Sequence, residues 1–442
     1  MKIVKGYEQA REALLVSRAL SSSDTPRHVQ IKTEEVFGKP LSPSEVVQII
    51  LKNVKDGGDE AIIDLTVKLE GVRPKFLEVS PSKISEAFNQ IPQDVLKALN
   101  SAATRISKFH SVGLPESWFD DSEGYGETII PVNKVGIYVP GGTARLPSTV
   151  LMTAIPAKTA GVSEIILCTP SSKNGTPDPL ILAAAKIAGV DKVFQIGGAQ
   201  AIAAMAYGTN TVPRADMVCG PGNIFVTLAK KHLFGEVGLD GLFGPTETLV
   251  IADEHANATL CAADLVAQAE HDYMATPILI TTSHEIAIYV EKETKLRASN
   301  IIRSETATSS LDNRGYIAVV EQLDDAFTLA NEFSPEHISL MIRNPKESLN
   351  KISNAGAIFL GDFSHEVLGD YIAGPSHVMP TGGTARFASG LNVRSFLKVS
   401  PVVGLGKNTA LKLGKIASTL GRAEGLTGHA EAAEIREELD VK

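Results

Sequence analysis

Cysteine is scarce in this chain: Cys168, Cys219 and Cys261 are the only three, and they lie far apart. That excludes a disulfide framework and suits a reducing compartment. Cys168 closes an apolar run and Cys261 lies in a helical one, so both read as small buried apolar side chains. Cys219, just before Gly220-Pro221-Gly222-Asn223, is left open. Basic charge is also lacking. The net charge is −9 with acids and bases mixed along the chain, so there is no basic patch for nucleic acid. No apolar run approaches the length that spans a bilayer. Met1–Glu8 shows no apolar core followed by a cleavage site, so no secretory leader is expected, and the cytoplasm is the expected location. Three motifs are missing as well. There is no Gly-x-Gly-x-x-Gly after a strand, no Gly-x4-Gly-Lys-Ser/Thr and no His-Glu-x-x-His. The usual dinucleotide fingerprint, the P-loop and the metalloprotease helix are therefore excluded.

What is present is a composition with 43% hydrophobic and 21% charged residues over 442 positions, ordinary for a globular chain and long enough for more than one core. Residues 1 to 31 read as a polar arm or short helix without a core of its own. Ser42 to Asp56 and Asp59 to Leu69 read as two helices parted by Gly57-Gly58, and Ser80 to Phe109 as one or two more. From Lys134 the pattern changes to strands and helices in turn. Strands are expected at Lys134–Val139, Glu164–Cys168, Lys192–Ile196 and Met217–Cys219. Helices follow them at Ser148–Thr159, Asp178–Ile187, Ala199–Tyr207 and Asn223–Leu233. Gly161 and Gly189 each have the place of a left-handed helix cap before a Val that starts the next run. A second set places strands near Leu249–Ala252, Ile278–Thr281, Tyr316–Val320, Ile338–Met341 and Ile358–Leu360. Its helices fall at Asn257–Glu270, Glu285–Lys295, Leu323–Phe333 and Pro345–Ser353, with Asn257 as an N-cap. After about Leu391 the chain is expected to be helical. Regular alternation implies parallel sheets covered by helices, hence an α/β fold with two modules and helical ends.

The densest run of chemistry lies between Ser334 and Gly390. Glu336, His337, Asp370 and His377 can move protons or hold a metal, in segments of poor helix and strand propensity that read as loops. Gln268 and His271, three apart at the end of a helix, share a face and could converge on a borderline divalent ion such as zinc. The pair alone is weak, because glutamine is not a common zinc ligand and a helix-end histidine more often caps carbonyls. Glu424 and His429 alone read as a helix cap and an exposed imidazole. Three glycine-rich turns, Pro140-Gly141-Gly142, Gly197-Gly198-Ala199-Gln200 and Gly220-Pro221-Gly222-Asn223, follow strands. They fit tight turns as well as a nucleotide site.

Taken together, the motifs resemble the histidinol dehydrogenases over most of the chain, from about residue 35 onward. They are Val135–Gly142, Gly197–Ala201, Gly220–Asn223, Gly244-Pro245-Thr246-Glu247, Gln268–Asp272, Ser334–His337, Gly369–Tyr371, His377–Gly383 and Glu424–His429. The resemblance implies two incomplete Rossmann-like parallel-sheet modules with helical N-terminal and C-terminal extensions. One module would be residues 32–137 with 247–391, the other 138–246, and 392–442 would be a helical segment reaching a partner subunit. It implies a zinc-dependent oxidation of L-histidinol via L-histidinal to L-histidine with two NAD, the last step of histidine biosynthesis. The ligands of Zn2+ would be Gln268, His271, Asp370 and His429. Glu336 and His337 would be the proton acceptors. Thr246, Gln268, His271, His337, Asp370, His377, Glu424 and His429 would touch substrate, and Tyr138, Gln200 and Asn223 would touch NAD. It further implies a homodimer with shared active sites, Glu424 and His429 completing the other subunit's pocket. Thr246 departs from the family's serine and suggests a second reading, oxidation of another small polar alcohol; a third reading, of another class, is a non-catalytic metal- or ligand-binding dimer.

Overall fold

Short β-branched and aliphatic runs, each followed by a helix, give two all-parallel sheets in the computed structural model, which describes residues 1–19, 27–141, 145–172 and 175–440. Gly142 and the Ser21–Ser23 run lie outside the described residues. The strands are β1 (Lys2–Lys5), β2 (Trp118–Asp120), β3 (Tyr125–Pro131), β4 (Lys134–Tyr138), β5 (Glu164–Cys168), β6 (Lys192–Phe194) and β7 (Met217–Cys219). Then come β8 (Gly238–Leu239), β9 (Glu247–Ala252), β10 (Thr276–Thr281), β11 (Tyr316–Val319), β12 (His337–Met341), β13 (Ala357–Leu360) and β14 (Leu397–Val403). One sheet runs β6-β5-β4-β7-β8 and the other β1-β11-β10-β9-β12-β13. Counted from β4 and from β9, both follow the order 3-2-1-4-5, five of the six places of a doubly wound sheet.

The chain divides into two compact units. The first holds Met1–Gly113 and Val132–Phe396, including both parallel sheets. The second holds Leu114–Pro131 and the chain from Leu397 onward. Within it β14, β3 and β2 pair antiparallel, and helices Lys407–Ala423 and Thr427–Asp440 pack on each other.

In the first unit, helix Pro43–Glu70 is opened by a Ser42–Glu45 capping box and closed by Gly71 in the left-handed region. It is one helix by hydrogen bonding, kinked where Gly58 takes φ 54, which keeps the break expected at Gly57-Gly58. Its face of Val46, Val47, Ile50, Val54, Ile62 and Leu65 packs on the five-stranded sheet's core with Phe194, Ile202 and Val218. Burying side chains of this kind stabilises by roughly 1.5–3 kcal/mol each. Asn223 and Asn257 cap the helices that follow them, and Gly161 and Gly189 take positive φ as expected.

Three expectations differ from the structure, and one helix was not anticipated. The N-terminal segment is a strand: β1 pairs with β11, and Ala10 and Leu14 of the following helix Tyr7–Ala19 are buried in the larger sheet's core. Only four residues long, with charged ends at an edge, β1 carries little pattern to read. Around Pro345–Ser353 there is a single 3₁₀ turn, Leu349–Lys351, with no side-chain cap. The polar stretch Ser304–Arg314 is a helix, held by buried Ala307 and Leu311. After Leu391 the chain first forms β14 before turning helical.

Candidate active site

The first unit carries a cavity of about 200 Å³ lined by Thr246, Gln268, His271, Glu336, His337, Asp370 and His377. All seven are residues singled out from the sequence. The elements that place them are specific. Thr246 precedes β9, Gln268 is in the last turn of helix Ala258–Ala269, and Glu336 precedes β12, of which His337 is the first residue. The cavity therefore opens at the amino ends of strands in the six-stranded sheet. Its far wall, with Ser148, Thr149 and Pro221, follows β4 and β7 at the carboxyl edge of the five-stranded sheet.

This corrects two local expectations. His337 is in a strand and Asp370 is in a short helix, Glu366–Tyr371, so of the four only Glu336 and His377 sit outside regular elements. Gln268 and His271 meet through a turn past the helix end, where the His271 N–H donates to the Gln268 carbonyl at 3.2 Å. Ahead of Glu336, buried Ser334 takes φ 53, rare for a residue with a Cβ. Its N–H donates to Ala330 O at 2.8 Å and its hydroxyl to Asn331 O at 2.7 Å, which hold the turn that aims Glu336.

The polar atoms of the pocket form a connected set. The Thr246 hydroxyl donates to Glu336 Oε2 at 2.7 Å, and the Glu247 N–H donates to the same oxygen at 3.1 Å. Gln268 Nε2 donates to Asp370 Oδ2 at 3.1 Å. His377 bridges the Asp370 carbonyl, 2.7 Å from Nδ1, and the Thr149 hydroxyl, 3.0 Å from Nε2. His337 differs. It is 2% exposed, its Nδ1 is 3.6 Å from Glu336 Oε2 and its Nε2 3.8 Å from Asp370 Oδ1, and neither nitrogen has a hydrogen-bond partner. A buried ring with two unmet nitrogens is positioned for something absent from the polypeptide.

Burial sets the protonation states. Desolvation pushes the Glu336 carboxyl well above the ordinary carboxylate range, against the opposing bonds from Thr246 and Glu247. Desolvation also lowers His337 to about 4, so its ring is neutral at physiological pH. The lining holds carboxyls and three imidazoles but no lysine or arginine. Such a wall suits a cation, and amide oxygen, imidazole and carboxylate are the donors a borderline divalent ion accepts. Among the described residues no three His, Cys, Asp or Glu side chains are gathered for a metal. His271 and Asp370 are the only residues of those kinds among the metal ligands expected in the first unit; its third is the Gln268 amide.

Sequence reasoning missed Glu366. It is buried, accepts from Thr248 at 2.6 Å and Ser339 at 2.8 Å, and is pushed up to about 8 by desolvation. It ties β9 and β12 to the helix that carries Asp370; its place four residues before Asp370 is the one signal the sequence offers.

A second cavity of about 700 Å³ gathers Tyr138, Gln200 and Asn223. These stand beyond the carboxyl ends of β4, β6 and β7, the place where doubly wound sheets take ligands. The Tyr138 hydroxyl accepts the Gly198 N–H at 2.9 Å. Gly220 has φ +110, and a Cβ there would lie 2.1 Å from the Tyr138 carbonyl, so the turn before Asn223 demands glycine. Buried Lys230 braces that turn through Asp240 at 2.5 Å and the Gly220 carbonyl at 3.1 Å, while the Gly220 N–H donates to Asp240 at 2.7 Å. Pro221 and Asn223 of one turn thus wall the two cavities. Glu424 and His429 belong to the second unit, where both are exposed on helical ends. Cys168, Cys219 and Cys261 are all buried and free, which settles Cys219 with the other two.

A doubly wound α/β scaffold thus carries one pocket of carboxyls and imidazoles and a second, larger cavity at the carboxyl ends of its five-stranded sheet. A family model described as histidinol dehydrogenase matches residues 39–437. A histidinol dehydrogenase of Dehalococcoides mccartyi is 46% identical over 98% of this chain and 99% of its own. One from Deinococcus radiodurans is 43% identical over 99% and 100%. A crystal structure of histidinol dehydrogenase from Elizabethkingia anophelis superposes with TM-score 0.91 at 31% identity, covering 100% of this chain and 99% of that one. The chain belongs to the histidinol dehydrogenase family and is an oxidoreductase.

Proposed function

We propose that this enzyme oxidises L-histidinol via L-histidinal to L-histidine with two NAD and one zinc ion, as the last step of histidine biosynthesis in the cytoplasm. The observation that carries the reading is the convergence of Gln268, His271, Asp370, Glu336 and His337 on one cavity. No helix among the described residues is long and apolar enough to cross a membrane.

On this reading Gln268, His271 and Asp370 hold the ion together with His429 of a second subunit. When bound, the ion supplies a fixed positive charge that orients the imidazole and amine nitrogens of the substrate. His377, and Glu424 of a second subunit, contact the substrate. His337, neutral and without a partner, takes the hydroxyl proton as hydride leaves for the first NAD. Its Nδ1 faces Glu336, 3.6 Å away, which gives the proton a way on. Glu336 then takes a proton from the water that adds to the aldehyde. The resulting gem-diol gives its hydride to a second NAD, and two NADH and three protons leave per carboxylate formed. Tyr138, Gln200 and Asn223 hold NAD in the larger cavity. In domain terms, 138–246 supplies the cofactor side, 247–391 the metal and catalytic side, and 392–442 reaches the second subunit of a homodimer.

Purified enzyme with zinc, L-histidinol and NAD is expected to yield two NADH per histidine; one NADH per substrate, or no turnover at alkaline pH, contradicts the reading. Thr246 fits it. Its hydroxyl is bonded to Glu336 and lies 3.3 Å from Gln268 Oε1, the same oxygen a serine would offer. Thr246→Ser should therefore keep kcat within about threefold, whereas Thr246→Val should lower it roughly tenfold by leaving a buried carboxyl short of a donor. Steady-state kinetics of the two variants check this.

A further inference from the structure

Glu70 is the single charged side chain among the described residues that line the 700 Å³ cavity, and nothing above gives it a task. In a doubly wound sheet that takes a dinucleotide, an acid beyond the second strand bonds the ribose 2′-hydroxyl. Here the second strand is β5, and it runs out through Thr169-Pro170-Ser171 with no acid. Glu70 arrives at that place from elsewhere. It is the last residue of helix Pro43–Glu70, whose end is fixed by Gly71 at φ 73.

Its surroundings define a direction. Gln200 Nε2 donates to Oε1 at 3.4 Å, and the nearby Gly197 backbone favours the charged carboxylate. A Cβ on Gly197 would lie 2.6 Å from Glu70 Oε1 and 2.8 Å from Pro170 Cβ, so the carboxyl stands close against the end of β5. Oε2 is buried without a partner. Leaving such an oxygen unmet is costly, and burial raises this carboxyl to about 7. Ligand hydroxyls would satisfy it.

We propose that Glu70 is the cofactor-specificity residue, bonding the ribose hydroxyls of the adenosine half of the dinucleotide and turning away a 2′-phosphate. This rests on the cavity being the NAD site. A 2′-phosphate would bring negative charge against a carboxylate in a wall where, among the described residues, there is no lysine or arginine to receive it. The acid that selects NAD thus comes from the helix before the sheet rather than from the sheet itself.

The test is steady-state kinetics with NAD and with NADP at saturating L-histidinol, for wild type, E70Q, E70D and N223S. Ser at position 223 keeps a helix-capping hydroxyl but withdraws the amide from the cavity. E70Q should raise KM for NAD about tenfold with kcat at saturation unchanged, and should narrow the NAD:NADP ratio of kcat/KM by tenfold or more; E70D should fall between. An unchanged KM and ratio in E70Q, alongside a raised KM in N223S, overturns the role of Glu70 and leaves the cavity as the NAD site. Unchanged KM in both variants overturns the cavity assignment and the proposal with it. A fall in kcat with the ratio intact marks Glu70 as structural and also overturns it.

Discussion

His337→Ala is expected to lower kcat by about a thousandfold while leaving the fold and zinc content in place. The ring is buried, held near Glu336 and Asp370 at 3.6 and 3.8 Å, and bonded to neither. Removing it breaks no hydrogen bond of the resting protein, so the loss falls on proton transfer, where a positioned base contributes roughly 10²–10⁴-fold. Burial lowers the ring to about 4, so wild-type activity should show no loss from its protonation until well below neutrality. Kinetics, circular dichroism and metal analysis of the variant check the split. A variant that binds substrate more weakly but turns over at the wild-type rate would return the protein to a mere ligand-binding role.

Glu336→Gln is expected to change the product. The amide still accepts from Thr246 and from the Glu247 N–H, so the pocket keeps its shape. It cannot take a proton from water. The first hydride transfer survives and the second fails, so NADH per L-histidinol falls from two to one and formation of L-histidine drops about a thousandfold. The pH dependence has a defined sign. Burial holds Glu336 above the ordinary carboxylate range, and only its ionised form is a base. Histidine formation should therefore fall as pH is lowered through that raised pKa and reach its plateau on the alkaline side. Stopped-flow measurement of both half-reactions across pH gives the answer; an acid optimum contradicts the assignment.

The parallel sheets were legible because their strands are apolar runs bounded by glycine turns, each followed by a capped helix. Asn223, Asn257, Gly161 and Gly189 all sit where the local chemistry demands. The elements that were not legible owe their state to tertiary contact. β1 is a four-residue edge whose partner lies over 300 positions away, and Ser304–Arg314 is polar enough to look like a loop until Ala307 and Leu311 are seen buried. The same holds at the site. Nine spaced motifs named the residues, yet no spacing could show that the pocket faces the amino ends of β9 and β12 rather than their carboxyl ends. Nor could it show that Glu366 and Glu70, ordinary helix acids in sequence, are withdrawn from water.

In the proposed enzyme one chain supplies Gln268, His271, Asp370, Glu336 and His337, and a second supplies His429, to a single site. His271→Ala and His429→Ala homodimers should each be nearly inactive. Mixed under conditions that allow subunits to exchange, they should form heterodimers in which one site is doubly damaged and the other wholly native. Activity should then rise to about a quarter of wild type at equal mixing, half the dimers carrying one intact site of two. No recovery after exchange proven by mass would contradict the shared site.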